Sequence, residues 1–226
     1  MGRSLRSVLV LSCILVVLTS TGCQSPWGCQ SCNKKIELFN GRDFSGWTLW
    51  VEDEAVDLNH VWSVEDGVIY CAGQPRGYMR TKKQYEAYRL HVEWRWPEAP
   101  ANGGVLLHCT GPNKIWPKCI EAQLNAGKAG DIVLIGDIGI TAGGEDKQDS
   151  TKPYVLIPKQ QVVSEKPVGQ WNTFDIVCDG DTIRYIVNGV LQNQGTKASD
   201  TRGTICLTGE GSPIEYRNIT LEPIGQ

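Results

Sequence analysis

The sequence has no marked excess of charge of either sign. Its 226 residues include 22 Lys and Arg against 25 Asp and Glu, which gives a formal net charge of −3. Proteins that bind nucleic acid or anionic membrane surfaces through electrostatics carry basic runs or patches, and no such run occurs here. The composition therefore predicts that nucleic acid is not a partner.

The sequence also lacks any long stretch with the periodicity of an α-helix. From about residue 36 onward, short apolar runs are separated by Gly, Pro, Asn and Asp, which is typical of β-strands and turns. Pairs such as Asn188-Gly189 are typical of tight hairpins. Many short strands without helices between them predict a two-sheet β-sandwich or jelly roll, formed by one domain at residues 36–226. The polar, proline-bearing residues 143–169 are predicted to form a long ordered loop that rims a site.

The N-terminal part of the chain lacks the strand pattern and is predicted to direct export. Residues 1–6 are basic, residues 8–18 are almost wholly apolar and residues 19–22 are small and polar, which is typical of a signal peptide. The apolar run is too short to span a bilayer comfortably as a permanent helix, so we expect cleavage. Gly22-Cys23 resembles the end of a bacterial lipobox, in which the cysteine is lipidated.

The lipobox resemblance implies a lipoprotein-type signal peptide at residues 1–22, an acylated Cys23 and a polar tether at residues 23–35. It also implies that the membrane is a partner through the lipid anchor, and that the protein is exported to the periplasm or the outer membrane. Ser20 stands where a lipobox usually has Leu. An ordinary secretory signal with an incidental cysteine is the alternative.

Nine cysteines are many for a chain of this length. Without Cys13 in the signal and Cys23 at the lipidation position seven remain, an odd number, so at least one stays free or pairs between molecules. Cys109 and Cys119 flank the short segment 110–118. We predict a disulfide between them that staples this segment.

Two neighbouring stretches carry the polar side chains on which the functional prediction depends. In residues 120–125 apolar and polar side chains alternate with a period of two, as in a strand that is buried on one face. The polar face holds Glu121, Gln123 and Asn125. If the preceding strand is its neighbour, His108 lies beside Glu121 and the two form a general acid/base pair. The ordinary wet side of an antiparallel sheet has the same pattern, and this alternative stays open.

The longest predicted strand, residues 88–96, adds a second polar row. Its apolar residues share one face, and the opposite face holds Arg89, His91, Glu93 and Arg95. Exposed charges explain this row equally well. Two such rows in one sandwich nevertheless favour a groove of the kind that binds sugars, if one curved sheet gathers them.

A tryptophan and several carboxylates add candidate ligand contacts. Trp116 lies in the loop between the two site strands and is predicted to stack on a sugar ring, with packing onto its own loop as the alternative. Asp131, Asp137 and Glu93 are candidate oxygen ligands for calcium or another divalent metal, although no ligand loop of recognised spacing occurs. No cofactor is required by the sequence, and a divalent metal stays open.

Several short motifs along the chain are similar, in order and spacing, to the successive signatures of the 3-keto-disaccharide hydrolase domain family. They are Leu38-Phe39-Asn40-Gly41, Trp62-Ser63-Val64-Glu65-Asp66-Gly67, Glu93-Trp94-Arg95, Asn102-Gly103-Gly104-Val105, Glu121-Ala122-Gln123, Gly169-Gln170-Trp171-Asn172 and Gly211-Ser212-Pro213-Ile214-Glu215-Tyr216-Arg217-Asn218-Ile219. The resemblance covers roughly residues 36 to 224. It implies an all-β, concanavalin- and glucanase-like jelly-roll sandwich, export, and hydrolysis of glycosidic bonds in 3-keto-disaccharides or glycosides.

The chemistry of a 3-keto-glycoside fits these residue types. A ketone at C3 acidifies the C2 proton, so a base can remove it, the C1 substituent can leave by elimination, and water can add back. The reaction needs one base and one stabiliser of the enolate oxygen. We predict Glu121 or His108 as the base and Arg95 as the enolate stabiliser. The predicted substrate-binding residues are Gln123, Glu93, Asn125, His91 and Trp116.

Three alternatives compete with this prediction. A retaining glycosidase would need two carboxylates about 5 Å apart. The β-glucanases of the same fold class carry them on one strand as Glu-x-Asp-x-Glu, whereas this chain reads Glu121-x-Gln123-x-Asn125 and lacks the second carboxylate. A non-catalytic carbohydrate-binding module on the cell envelope is the main alternative, and a purely structural surface domain is the third.

Overall fold

The computed structural model describes residue 2 and residues 34–225. The predicted signal peptide and Cys23 therefore lie outside the described residues. Within the described part of the chain, no helix is long and apolar enough to cross a membrane.

The described chain folds almost entirely into antiparallel β-strands, with one short 3-10 helix at Leu58–His60. The strands are β1 (Ile36–Glu37), β2 (Trp47–Val51), β3 (Trp62–Glu65), β4 (Val68–Cys71), β5 (Gly77–Thr81), β6 (Tyr88–Arg95), β7 (Gly104–Thr110), β8 (Lys118–Gln123), β9 (Ile132–Ile135), β10 (Ile140–Ala142), β11 (Glu145–Lys147), β12 (Tyr154–Ile157), β13 (Asn172–Asp179), β14 (Thr182–Val187), β15 (Val190–Gly195), β16 (Thr204–Gly209) and β17 (Ile214–Pro223).

The strands form two large sheets. The eight-stranded sheet has the order β15-β14-β13-β6-β17-β4-β3, with β1 also paired to β17, and the seven-stranded sheet has the order β12-β9-β8-β7-β16-β5-β2. The chain crosses between the sheets several times, for example from β5 to β6 and back to β7. This is the jelly-roll β-sandwich that the sequence predicts.

Side-chain alternation places the main apolar core between the two sheets. On β6, Leu90, Val92 and Trp94 are fully buried, and on β8 Ile120 and Ala122 belong to the same apolar cluster. Burying each large apolar side chain stabilises the fold by about 1.5–3 kcal/mol. Since these residues face inward, the polar residues between them point to the outer faces of the two sheets.

The hairpin turns follow the local sequence. Asp66 and Gly67 join β3 to β4 with φ of 49° and 77°, and Asn188 and Gly189 join β14 to β15 with φ of 50° and 80°. Positive φ at both central residues is the type I′ geometry that matches the twist of the flanking strands. The predicted Asn-Gly hairpin is therefore present.

Residues 143–169 are not one continuous loop. They contain β11 and β12, and β12 pairs with β9 at the edge of the seven-stranded sheet. Pro153 and Pro158 flank β12 directly, and proline next to a strand is tolerated mainly at sheet edges. The prolines that suggested a loop are thus compatible with an edge strand.

The predicted disulfide between Cys109 and Cys119 is absent, because both residues are free thiols. Their side chains lie in a second apolar cluster together with Cys206, whose Sγ is 3.5 Å from that of Cys109. Burial raises the pKa of the Cys119 thiol. A thiol that stays protonated in apolar surroundings is a poor partner for disulfide exchange.

Candidate active site

Strand β8 forms the floor of a cavity on the outer face of the seven-stranded sheet. The cavity has a volume of about 240 Å³. It is lined by Asn102, Trp116, Glu121, Gln123, Asn125, Lys128, Asp131, Val133, Ile135, Pro153, Tyr154, Leu156 and Glu210. Apolar walls with a few converging polar groups are typical of a small-molecule site.

The alternation of β8 aims its polar side chains into this cavity. Glu121, Gln123 and Asn125 all line the cavity, while the intervening apolar side chains belong to the core between the sheets. Leu106 on β7 and Val133 on β9 lie directly across from Glu121. Glu121 therefore has apolar neighbours on both adjacent strands.

Gly104 makes room for the Glu121 carboxylate. A Cβ atom added at Gly104 would lie 2.1 Å from Glu121 Oε1, far inside a normal contact distance. Gly104 pairs with Gln123, the residue two positions along β8 on the same face. The glycine thus lets the carboxylate fold down against the sheet instead of extending into solvent.

The Glu121 carboxylate is both buried and unpaired. Only 6% of the residue is exposed, and no group in residues 34–225 hydrogen-bonds to its side chain. Burial raises the pKa of Glu121 to about 8, and the negative charge of Glu210 adds to the shift. A carboxylate in apolar surroundings is a stronger base than one in water. A base with a pKa near the working pH suits proton abstraction.

Glu210 is a second cavity carboxylate that the sequence interpretation missed. It follows the last residue of β16 and accepts a hydrogen bond of 3.0 Å from Asn102 Nδ2. Burial raises its pKa, and the Asn102 hydrogen bond opposes this shift. Glu210 lies in a Gly-Glu-Gly-Ser turn with no strand alternation. Only the pairing of β16 with β7 brings it to β8.

Two cavity amides are oriented with free hydrogen-bonding groups. Gln123 Oε1 accepts from the backbone N–H groups of Leu124 (3.0 Å) and Asn125 (2.9 Å). No residue in the described chain accepts from Gln123 Nε2, which leaves a donor for a ligand. Asn102 Oδ1 is buried and without a partner among the described residues, which leaves an acceptor. A donor and an acceptor together match the hydroxyl groups of a sugar.

The loop after β8 contributes the only lysine that lines this cavity among the described residues, Lys128. Glu165 holds this loop by accepting hydrogen bonds from the backbone of Gly127 (3.0 Å) and Ala129 (2.9 Å). Lys128 forms no ion pair within residues 34–225. Its ammonium group is therefore free to meet a developing negative charge on a ligand.

The carboxylates considered as metal ligands have other partners. Asp131 accepts from the backbone N–H of Lys159 at 2.8 Å, and Asp137 accepts from Gln148 Nε2 at 2.7 Å. Within residues 34–225 no group of three or more His, Cys, Asp and Glu is arranged to hold a metal ion.

Trp116 forms part of the cavity wall. It is 40% exposed, and the Arg76 guanidinium lies 5.9 Å from its ring centroid. Arg76 is held in turn by an ion pair with Glu52 at 2.8 Å. An aromatic side chain that is partly exposed at a cavity offers a flat apolar surface to a ligand.

His108 does not lie beside Glu121, so the predicted acid/base pair is wrong. The register of β7 against β8 shifts between Leu107 and Thr110, and His108 adopts a φ of 52° at this bulge. The bulge places the ring 5.8 Å from that of Tyr88, with Nδ1 3.0 Å from the backbone oxygen of Asp200. Burial lowers the His108 pKa. A β-bulge redirects a side chain in this way.

Arg95, His91 and Glu93 lie on the other sheet, so the predicted common groove is wrong. They are on β6, at the centre of the eight-stranded sheet, and alternate with fully buried residues. Their side chains therefore project from the outer face opposite the cavity. The pattern identified a polar face correctly but not the sheet to which it belongs.

Three side chains of the polar row on β6, Arg95, Glu93 and His91, are paired. Arg95 forms an ion pair with Glu215 and lies over the Trp171 ring at 4.7 Å. Glu93 accepts hydrogen bonds from Arg217 Nε (2.7 Å) and Asn218 Nδ2 (2.8 Å). His91 Nδ1 lies 2.8 Å from Asp175 Oδ1. These three side chains use their hydrogen-bonding groups on their protein partners, which leaves little capacity for a ligand.

Comparison with known proteins agrees with this fold. Residues 34–222 match the family described as 3-keto-alpha-glucoside-1,2-lyase-like domain. A candidate glycosyl hydrolase from Parabacteroides distasonis ATCC 8503 has a similar structure, with a TM-score of 0.62 and 23% identity over 85% of this chain and 100% of that chain. Among curated proteins, no significant sequence relative is found.

More distant structures share the fold. The catalytic domain of an endo-1,3-beta-glucanase (laminarinase) from Thermotoga petrophila RKU-1 has a TM-score of 0.53 at 14% identity, covering 85% of this chain and 97% of that chain. The carbohydrate binding module CBM66 from Bacillus subtilis has a TM-score of 0.55 at 11% identity, covering 78% and 95%. At these identities the likeness shows the concanavalin- and glucanase-like jelly roll alone.

Proposed function

We propose, because this chain belongs to the 3-keto-alpha-glucoside-1,2-lyase-like domain family, that it cleaves the glycosidic bond of 3-keto-disaccharides or related 3-keto-glycosides. The family makes it a carbohydrate-active, glycosyl-hydrolase-like protein. The observation that carries the finer proposal is the Glu121 carboxylate, which is buried, lacks a hydrogen-bond partner among the described residues, and has a pKa raised to about 8.

The first step uses Glu121 as a base. The C3 ketone makes the C2 proton acidic, and the ionised Glu121 carboxylate takes this proton while the C2–H electron pair moves into the enolate. A pKa near 8 makes the carboxylate a better base than an ordinary Glu, while part of the population remains ionised at neutral pH. Apolar neighbours on β7 and β9 keep it from being solvated.

The enolate oxygen needs a positive or hydrogen-bond-donating partner. Arg95 was the predicted partner, but it projects from the opposite sheet and pairs with Glu215. Lys128 and the free Nε2 group of Gln123 line the cavity and suit this role. Donors aimed at a developing oxyanion are among the strongest contributors to enzymatic rate.

The second step expels the C1 substituent. The enolate electrons return to re-form the C3 carbonyl, the C1=C2 double bond forms, and the C1–O bond breaks. The departing oxygen needs a proton, and Glu210, whose pKa is also raised by burial, supports an acid role. Water then adds across C1=C2 to give a free 3-keto sugar.

A second candidate function is hydrolysis of ordinary, unoxidised glycosides. The observation that favours it is Glu210, because Glu121 and Glu210 provide the pair of carboxylates that the β8 sequence alone lacks. Two carboxylates with different pKa values are the usual machinery of glycosidases. The same cavity would serve a binding module if neither reaction occurs.

Turnover assays separate these functions. Purified protein is incubated with a panel of 3-keto-glycosides and with their unoxidised parents, and released sugar is measured by mass spectrometry. We expect release from the 3-keto compounds alone. Release from the unoxidised parents would favour two-carboxylate hydrolysis. Binding without release from either set would support the binding module and contradict both reactions.

We also propose that the mature protein is anchored to the cell envelope through an acylated Cys23, on the basis of the signal-like residues 1–22. A single acyl chain binds a membrane only weakly and reversibly. A lipobox cysteine receives several acyl chains, which suffice for stable attachment. Fractionation of cells that express Cys23→Ser tests this. The variant should move from the membrane fraction to the soluble fraction, and unchanged partition would contradict the anchor.

A further inference from the structure

A second cavity lies beside the first one, across the edge strand β12. Its volume is about 550 Å³, and it is lined by residues of the segment 146–156. Pro153, Tyr154 and Leu156 line both cavities. The two cavities are therefore adjacent, and these residues form the ridge that separates them.

The ridge presents an apolar surface to solvent. Tyr154 is 49% exposed and Leu156 is 43% exposed, because the alternation of β12 turns Val155 and Ile157 toward the core. Large apolar side chains exposed beside a cavity are typical of a ligand groove. The C–H faces of a sugar ring pack well on a tyrosine ring and a leucine side chain.

The first cavity is small for a whole disaccharide. Its volume of about 240 Å³ lies below the range of roughly 300–1,000 Å³ usual for sites that enclose a drug-sized ligand. If one sugar ring fills it over Glu121, the second ring must extend outward. The low ridge of Tyr154 and Leu156 is one way out, and it leads into the second cavity.

The second cavity favours a neutral ligand rich in hydroxyl groups. Two acidic and two basic side chains line it, so their charges balance. Lys152 pairs with Asp149 at 2.9 Å and Lys147 with Glu145, while Asp146 accepts a hydrogen bond from the Thr141 hydroxyl. Gln148 donates to Asp137 at 2.7 Å. A charged ligand would therefore gain little, whereas polar groups at the rim can exchange hydrogen bonds, directly or through water, with sugar hydroxyls.

We propose that the second cavity is the leaving-group subsite, so that the preferred substrates are 3-keto-disaccharides or longer saccharides rather than glycosides with a small aglycone. The 3-keto ring lies over Glu121, and the sugar attached at C1 crosses Tyr154 and Leu156. This inference rests on the proposed function, since it assigns the two rings by the position of the base.

The test compares two substrates in each variant. Rates are measured for the 3-keto derivative of a glucosyl disaccharide and for 3-keto methyl glucoside, with wild type, Tyr154→Ala, Leu156→Ala and Tyr154→Phe. Removing the ridge should lower kcat/KM for the disaccharide at least about tenfold more than for the methyl glycoside, mainly through KM. Tyr154→Phe keeps the ring, so its loss on the disaccharide should be much smaller than that of Tyr154→Ala.

Val162→Ala is the matched control, because Val162 is 84% exposed and lines neither cavity. This variant should leave kcat/KM for both substrates nearly unchanged. Equal losses on the two substrates in Tyr154→Ala and Leu156→Ala would overturn the subsite while leaving the proposed function intact.

If no 3-keto compound is turned over, the proposed function fails and the subsite is judged by binding. The unoxidised glucosyl disaccharide and methyl glucoside are then titrated against wild type and Tyr154→Ala by calorimetry. Weaker disaccharide binding in the variant, with no matching change for methyl glucoside, would support a two-ring groove. Identical affinities in wild type and variant would overturn it.

Discussion

The outer faces of the two sheets carry polar rows of similar sequence pattern but opposite physical character. On the eight-stranded sheet, Glu93 and Arg95 are paired with Arg217 and Glu215. On the seven-stranded sheet, Glu121 is buried with no hydrogen-bond partner in residues 34–225, and a second carboxylate raises its pKa further. Side chains that pair with each other have little capacity left for a ligand, whereas a buried carboxyl group without a partner can interact with one.

The two faces also differ in what they contribute to stability. Exposed or half-exposed ion pairs typically add about 0–1 kcal/mol each, so the β6 row stabilises the fold modestly. A buried carboxyl with a raised pKa destabilises the fold once it must ionise. The cavity face therefore lowers the stability of the fold, whereas the other face raises it slightly. Functional sites commonly cost stability in this way.

The largest expected effect contrasts Glu121→Gln with Glu93→Gln. Glutamine keeps the shape of the side chain but cannot accept a proton, so Glu121→Gln should lower turnover of a 3-keto-glycoside on the order of a hundredfold or more. Glu93→Gln changes a paired carboxylate on the opposite sheet and should leave kcat/KM within about twofold. Steady-state assays of both variants measure the contrast. Full activity in Glu121→Gln would show that Glu121 is not the base.

Stability as a function of pH sharpens the same contrast. The Glu121 pKa is about 8 in the folded protein against an ordinary value of 4.5, so the folded state binds more protons between these values and loses stability as pH rises through this window. Glu121→Gln removes this loss. Its stability relative to wild type should therefore grow by on the order of 3 kcal/mol from pH 5 to pH 8, at about 1.4 kcal/mol per pKa unit.

Urea unfolding at both pH values measures this effect, with Glu93→Gln as the control. The Glu93 pKa is lowered in the folded state, despite a desolvation contribution that raises it, because Asn218 and Arg217 hydrogen-bond to the carboxylate. Its stabilisation is present above the ordinary pKa and is lost only as pH falls, so this variant should show no gain toward pH 8. A pH-independent difference for Glu121→Gln would contradict the raised pKa.

A smaller effect is expected for Lys128, the cation proposed to stabilise the enolate. Lys128→Met should lower kcat about tenfold, less than the loss typical of a buried donor because the lysine is exposed. Arg95→Met should leave turnover nearly unchanged and instead lower stability by about 1 kcal/mol or less through its ion pair with Glu215. Kinetics and thermal unfolding of the two variants are compared side by side. The reverse ranking of the two kinetic effects would restore Arg95 as the stabiliser.

The smallest effect concerns His91 and Asp175. Hydrogen bonding to Asp175 raises the pKa of His91, so this pair contributes stability that is present below the ordinary His pKa and is lost as pH rises through the folded value. Because both side chains are about one-third exposed, Asp175→Asn should cost only about 0.2–1 kcal/mol at pH 5.5 and less at pH 8. Titration of the His91 ring by NMR in both proteins checks the shift. An unchanged titration midpoint would show that Asp175 does not cause it.

The sequence predicts local features of this protein well. The alternation in residues 120–125 assigns Glu121, Gln123 and Asn125 to one face, and the structure places all three in the cavity. The jelly roll follows from many short strands and hairpin turns, and both features depend on neighbouring residues. Local pattern was sufficient wherever the determining contacts were also local.

Features that depend on pairing between distant strands could not be predicted from the sequence. Arg95 lies on the eight-stranded sheet and not on the sheet that carries the cavity, because β6 pairs with β13 and β17, which lie far along the chain. Glu210 reaches the cavity only through the pairing of β16 with β7. His108 is redirected by one extra residue in a bulge, and such a shift leaves the apolar-polar alternation of the sequence almost unchanged.

If Glu121 is the base proposed above, one methyl group added at Gly104 separates a catalytic cavity from one that only binds sugar. The backbone φ of Gly104 is not positive, so alanine fits the strand, but the new Cβ would displace the flexible end of Glu121. A single Gly104→Ala substitution would then abolish turnover while leaving Gln123, Asn102 and Trp116 to hold a sugar, which calorimetry can verify. Retained turnover in this variant would contradict it. Within one architecture, evolution could cross from enzyme to binder in a single step without passing through an unfolded protein.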